Sequence, residues 1–126
     1  MLSVSKNGII QVSRGDSFVL NTKINLGTEL LPIYYQLGEN DTLYFAVMEA
    51  NHPFEHAIVR KTYTEADQDE DLNVAVTFVP EDTEFLVPGD YYYMVKLRKF
   101  VGQDPLLDES YEVSTIISKT KFIIID

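Results

Sequence analysis

The chain has 126 residues, ten basic and twenty acidic side chains, a net charge of −10, 45% hydrophobic residues and no cysteine. This composition excludes a disordered chain, a collagen-like repeat, a disulfide scaffold and all thiol chemistry, and it is enough to bury roughly two thirds of the unfolded surface in one core. No stretch is apolar enough to span a bilayer as a helix, and the acidic balance opposes binding to nucleic acid phosphates, so neither a membrane nor a nucleic acid is an expected partner.

In chain order, the apolar residues alternate at period two and are rich in Val, Ile, Phe and Tyr, which predicts an all-β chain. The expected strands are Ile9 to Ser13, Phe18 to Leu26, Leu43 to Glu49, Ala57 to Tyr63, Leu72 to Val79, Tyr91 to Phe100, Tyr111 to Ser118 and Lys121 to Ile125. Turn-forming residues separate them at Arg14-Gly15-Asp16, Gly38 to Asp41, Glu65 to Asp71, Val87 to Asp90 and Gly102-Gln103-Asp104-Pro105. About eight strands at this spacing predict an antiparallel sandwich or barrel, as one domain over residues 1–126. Met1 to Asn7 lacks the apolar core of a secretory signal, so export by that route is not expected.

Alternation also assigns faces. One core set is Leu72, Val74, Val76 and Phe78; a second is Tyr91, Tyr93, Val95 and Leu97. Leu43, Phe45 and Val47 form a third, and Phe18, Leu20 and Ile24 a fourth interrupted by Thr22. The only helix signal is Pro80 to Leu86, with proline first and acids early, enough for about one turn.

Two segments break the pattern. Lys121-Phe122-Ile123-Ile124-Ile125 puts apolar residues on both faces of its strand, which requires either a central position under the protein's own loops or a neighbouring subunit. Leu30-Leu31-Pro32-Ile33-Tyr34-Tyr35 is an apolar stretch in an edge or loop. The candidate interface is therefore Leu30, Leu31, Ile33, Tyr34, Tyr35, Ile123 and Ile125, joined by Tyr92, which faces away from Tyr91 and Tyr93.

No Lys or Arg occurs between Lys61 and Lys96, whereas nine acids do, in the connections Glu65 to Asp71 and Glu81 to Asp90 on either side of one strand. Such runs are ordinarily solvated loops, and otherwise docking sites for basic partners. Asp67-Gln68-Asp69-Glu70-Asp71 begins like a calcium loop but has Leu72 where glycine is needed and Phe78 where a bidentate glutamate is needed. His52 and His56 have helical zinc-site spacing in a segment that Pro53 keeps from being helical. Arg14-Gly15-Asp16-Ser17 spells the integrin-binding tetrapeptide, yet a strand-to-strand turn explains it. With no nucleophile motif and no phosphate loop, no catalytic residue, metal or cofactor is expected, and the chain is not expected to be an enzyme.

The stretch Asp82 to Tyr93 resembles the corner before the penultimate strands of an immunoglobulin-like sandwich, where a tyrosine just inside the strand pins the corner through its hydroxyl. The resemblance assigns that role to Tyr91. Both cysteines and the tryptophan of antibody domains are missing, so it implies the architecture alone. A wider order resembles the small β-sandwich modules of bacteriophage virions, especially the N-terminal domain of baseplate upper proteins and fibre-associated immunoglobulin-like domains. It runs from Ile10-Gln11-Val12-Ser13-Arg14-Gly15-Asp16-Ser17-Phe18 through a strand after Asp41, Asp82-Thr83, Gly89-Asp90-Tyr91-Tyr92-Tyr93 and Ile116-Ile117 to Phe122-Ile123-Ile124. That resemblance implies a non-enzymatic structural component of a virion (baseplate, tail, neck or head fibre), made in the host cytoplasm and attached to other virion proteins, with a homo-oligomer compatible. Two further classes stay open on the residues. One is a carbohydrate or receptor binding module using exposed tyrosines with the acidic loops. The other is an acidic inhibitor that mimics nucleic acid and blocks a host DNA-binding enzyme through the charge between Thr62 and Val95.

Overall fold

The computed structural model describes residues 2–103 and 109–126, so the predicted turn at Gly102-Gln103-Asp104-Pro105 lies partly outside the described residues. Strands dominate: β1 (Leu2–Val4), β2 (Ile10–Ser13), β3 (Phe18–Lys23), β4 (Thr42–Met48), β5 (Val59–Tyr63), β6 (Asn73–Phe78), β7 (Gly89–Gln103) and β8 (Glu109–Ile125). Six form one sheet in the order β1-β2-β8-β7-β4-β5, and β3 and β6 form a two-stranded sheet. The chain is all-β, as the alternation predicts.

The ladders correct the expected antiparallel arrangement at one place. β2 runs parallel to β8, with Ile10 opposite Phe122 and Val12 opposite Ile124, so the large sheet is mixed. Alternation specifies which face a residue takes but not the direction of the neighbouring strand, so the sequence pattern could not distinguish the two. β2 is also the second arm of a hairpin with β1, a strand of three residues too short for periodicity to show. Gly8, at φ +81°, makes that hairpin's turn.

A second correction concerns the C-terminal third. The separate strands expected at Tyr111 to Ser118 and Lys121 to Ile125 are one strand, β8, paired along its length with β7. The polar run Ser118-Lys119-Thr120 reads as a break, but register shifts between Tyr93 and Lys96 absorb the extra residues as bulges, and the strand continues.

The core lies between the sheets. Phe18, Val74, Val76 and Phe78 from the small sheet meet Ile10, Val12, Leu43, Phe45, Val47, Tyr91, Tyr93, Val95, Leu97, Phe122 and Ile124 from the large one, all buried. Phe78 is the hub: its ring stacks on Phe18 at 4.6 Å and Phe122 at 5.6 Å and meets Phe45 edge-on at 5.8 Å. Leu20 and Leu72, both expected in the core, are half-buried; Leu20 packs against the core from β3, whereas Leu72 lies outside the strand. Leu72 has φ +67° and precedes β6, in a turn where the Asp69 carboxylate accepts from the amides of Asp71 and Asn73 at 2.9 Å. A single helical turn, α1 (Pro80–Thr83), follows β6.

Candidate functional site

The segment after β3 forms a rigid apolar knuckle. The Asn25 side-chain oxygen accepts from the amides of Gly27 (2.9 Å) and Ile33 (3.0 Å), and its side-chain nitrogen donates to the Thr28 carbonyl (3.2 Å). Backbone bonds Leu26 N–H to Ile33 C=O, Thr28 N–H to Leu31 C=O and Tyr35 N–H to Ile24 C=O complete a short ladder. Gly27 sits where a Cβ would lie 2.3 Å from the Leu31 carbonyl, so no larger residue fits without rebuilding the loop. These restraints hold Leu30 (92% exposed), Leu31 (76%) and Ile33 (63%) outside the fold. Isolated exposed leucines are ordinary, but two leucines and an isoleucine within four residues on a hydrogen-bonded scaffold are a preformed apolar tip. Tyr34 is exposed beside them, with the Lys23 ammonium 5.0 Å from its ring centre.

Tyr35 belongs to a different construction. Its hydroxyl donates to Asp41 at 2.5 Å, and the same carboxylate accepts from the amides of Gly38 (2.7 Å) and Phe100 (2.8 Å). Asp41 is 3% exposed. Burial alone would raise its pKa, but these hydrogen bonds and the nearby Lys99 charge outweigh it and hold the carboxyl below its ordinary range. Burial, together with the hydrogen bond and negative charge of Asp41, pushes the Tyr35 phenol up to about 12. This pair ties the loop before β4 to the far end of β7. It therefore fixes the base of the knuckle.

Ile123, Ile125 and Tyr92 are half-buried on the outer face of the large sheet, opposite the core-facing Phe122, Ile124 and Tyr91. β8 lies between β2 and β7, so the second apolar face belongs to a central strand. The candidate interface thus falls on two layers: the knuckle follows β3 of the small sheet, and the two isoleucines lie on the large one.

Tyr91 is buried at the start of β7, and its hydroxyl donates to the Val87 carbonyl at 2.6 Å. The Arg14-Gly15-Asp16 turn is fastened inward. Gly15, at φ +79°, donates its amide to the buried Thr83 hydroxyl at 2.8 Å, and Arg14 pairs with Asp126 at 2.7 Å.

Several acids are engaged within their own loops. Asp67 accepts from the Thr64 amide at 2.8 Å, while Asp82 accepts from the Val79 amide at 2.9 Å and pairs with Lys61 at 2.7 Å. Among the described residues, no three His, Asp or Glu side chains converge as a metal site. His52 lies 3.8 Å from Glu49 on the surface, and His56 sits in the 3₁₀ turn Phe54–His56.

Sequence reasoning missed one cluster. Phe54, carried by that 3₁₀ turn, lies edge-on to Tyr44 at 6.1 Å and gathers Arg60 and Lys96 about its ring. The signal was the coincidence of Phe54 after Pro53 with cations at alternate positions of β7, which period-two analysis assigns only to a solvated face. No family model, no curated protein and no solved structure matches the chain.

Proposed function

We propose that this domain is a non-enzymatic structural module of a phage particle, an immunoglobulin-like sandwich that docks to neighbouring virion proteins. One observation carries the docking: an apolar tip of Leu30, Leu31 and Ile33 held in solvent by the Asn25 hydrogen bonds. Covering this surface gains about 25 cal/mol per Å² of apolar area, and preorganisation removes most of the ordering cost of the loop. The virion assignment rests on the resemblance of the RGDSF, GDYYY and FIII segments in their order.

The sandwich reading is supported by a two-stranded β3–β6 layer facing a larger sheet in which β8, β7 and β4 are neighbours. The Tyr91 to Val87 hydrogen bond has the form of a tyrosine corner. The parallel pairing of β2 with β8 makes β8 a central strand of the large sheet rather than an exposed edge.

The experiment is quantitative mass spectrometry of gradient-purified particles against the free lysate of the same producing culture. A fixed ratio of this polypeptide to the capsid protein supports the reading. Recovery only from the free fraction overturns it.

A further inference from the structure

The outer face of the large sheet carries a feature unrelated to the knuckle. A groove of about 280 Å³ opens between Tyr44, Phe54, Arg60, Lys96, Arg98 and Val113, with Glu55 at its side. We propose that it is a binding site for a small organic anion, a sugar-sized molecule bearing a carboxylate, sulfate or phosphate.

The argument begins with charge. The Arg60 guanidinium lies 4.8 Å and the Lys96 ammonium 4.6 Å from the centre of the same Phe54 ring. Two like charges are therefore held closer than a Debye length, about 10 Å at 0.1 M salt. Arg98 follows Lys96 by two residues on the same face of β7. Three cations elsewhere in the chain, Arg14, Lys61 and Lys121, each have a carboxylate within 4 Å. Among the described residues, Arg60, Lys96 and Arg98 have none, although acids outnumber bases two to one.

Geometry adds a second reason. Each guanidinium is positioned before any ligand arrives: Arg60 donates to the Phe54 carbonyl at 3.3 Å, and Arg98 lies 3.6 Å over the Tyr111 ring. Cation–π contacts leave guanidinium edges free to fork onto an anionic group, which is how arginine recognises carboxylates and phosphates. Holding the side chains in advance reduces the entropy lost on binding. The volume suits a ring-sized molecule, and the Val113 and Tyr44 walls suit the apolar face of a sugar ring. Among the described residues, Glu55 is the one carboxylate in the lining, and it opposes the same ligand.

The test is titration of the intact chain, followed by amide and arginine side-chain NMR, with three probes: glucuronate, glucose and inorganic phosphate. Glucuronate should shift the Phe54, Lys96 and Arg98 resonances saturably, and glucose should not. Arg98→Gln and Arg60→Gln should each weaken glucuronate at least tenfold with an unchanged melting temperature, and Glu55→Gln should tighten it several-fold. If one arginine variant fails to fold, Lys96→Gln supplies the same reading. Phosphate binding more weakly than glucuronate supports a sugar-borne anion; phosphate binding equally overturns the sugar-sized ligand and leaves a site for the anionic group alone. No saturable shift at millimolar glucuronate overturns the proposal, as does equal response to glucose or indifference to both arginine substitutions. A synthetic peptide spanning residues 64–73 that displaces glucuronate and binds more tightly also overturns it, in favour of an acidic protein segment.

Discussion

The Tyr91 hydroxyl and the Val87 carbonyl, 2.6 Å apart, close the corner through which the chain enters β7. Val87 is exposed while Tyr91 is buried, so the bond crosses from the surface into the core. Tyr91→Phe keeps the ring and removes only this bond. It should cost about 1 kcal/mol. Urea unfolding should show a lower midpoint with an unchanged slope, because the surface exposed on unfolding is the same.

Thr83→Val tests the fastening of the Arg14-Gly15-Asp16 turn. The substitution is nearly isosteric but leaves the Gly15 amide without its acceptor beside a buried position. A loss of about 1–3 kcal/mol is expected, with Thr83→Ser retaining most of the stability. Equal stability of the valine and serine variants in thermal melts would show that the bond contributes nothing.

Stability should fall at both ends of the pH range, for opposite reasons. Burial raises the phenols of Tyr63 and Tyr93, and Tyr35 is raised to about 12. The unfolded chain therefore loses these protons first, from about pH 10, and the stability they contribute below that point is lost as pH rises through the folded values. Asp41 is shifted the other way. Its contribution is present above its unfolded pKa, about 4, and disappears as pH falls through the lower folded value. Tyr35→Phe should flatten the alkaline limb of stability measured against pH.

Leu30→Ser with Leu31→Ser removes apolar surface that the fold does not use. Its stability should change by less than about 0.5 kcal/mol, while incorporation into particles falls. Asn25→Ala should do the converse in part, loosening the knuckle by removing three hydrogen bonds. Hydrogen exchange at the Gly27 and Ile33 amides would report it directly.

Ile123→Lys with Ile125→Lys addresses the other layer. Both side chains are half-buried on an outer face, where lysine can lay its stem along the sheet and keep its ammonium in water. The protein should remain folded by circular dichroism and lose particle assembly. Unimpaired assembly would remove that face from the interface.

Much of this architecture is legible in the sequence because alternation is a strong constraint. Leu43, Phe45 and Val47, and Tyr91, Tyr93, Val95 and Leu97, are buried together as their period requires. The pairing of Val12 with Ile124 is not legible, since strand direction leaves no trace in a period of two. Leu72 misled because its apolar side chain continues the alternation, while its backbone obeys the Asp69 turn before it. The knuckle's exposed leucines are visible as an interruption, but the Asn25 bonds that hold them outward depend on atoms eight residues apart. The cations around Phe54 come from β5 and β7 and the ring from the turn before β5, so only the folded sheet brings them together.

The position of β8 has a consequence for how the chain is made. It follows every other strand of this sheet in the chain, yet it fills the slot between β2 and β7 and supplies Phe122 and Ile124 to the core. Until it arrives, both neighbours present open hydrogen-bonding edges and Phe78 lacks one of the rings it stacks against. The nascent domain therefore cannot mature vectorially from its N-terminus; it waits unclosed, and non-local closure of this kind places folding in the slow, millisecond-to-second regime. A chain ending before Lys121 would carry every other strand and most of β8, but it would lack the pairing with β2 and the Phe122 and Ile124 side chains, and so remain a substrate for chaperones and proteases rather than a smaller domain.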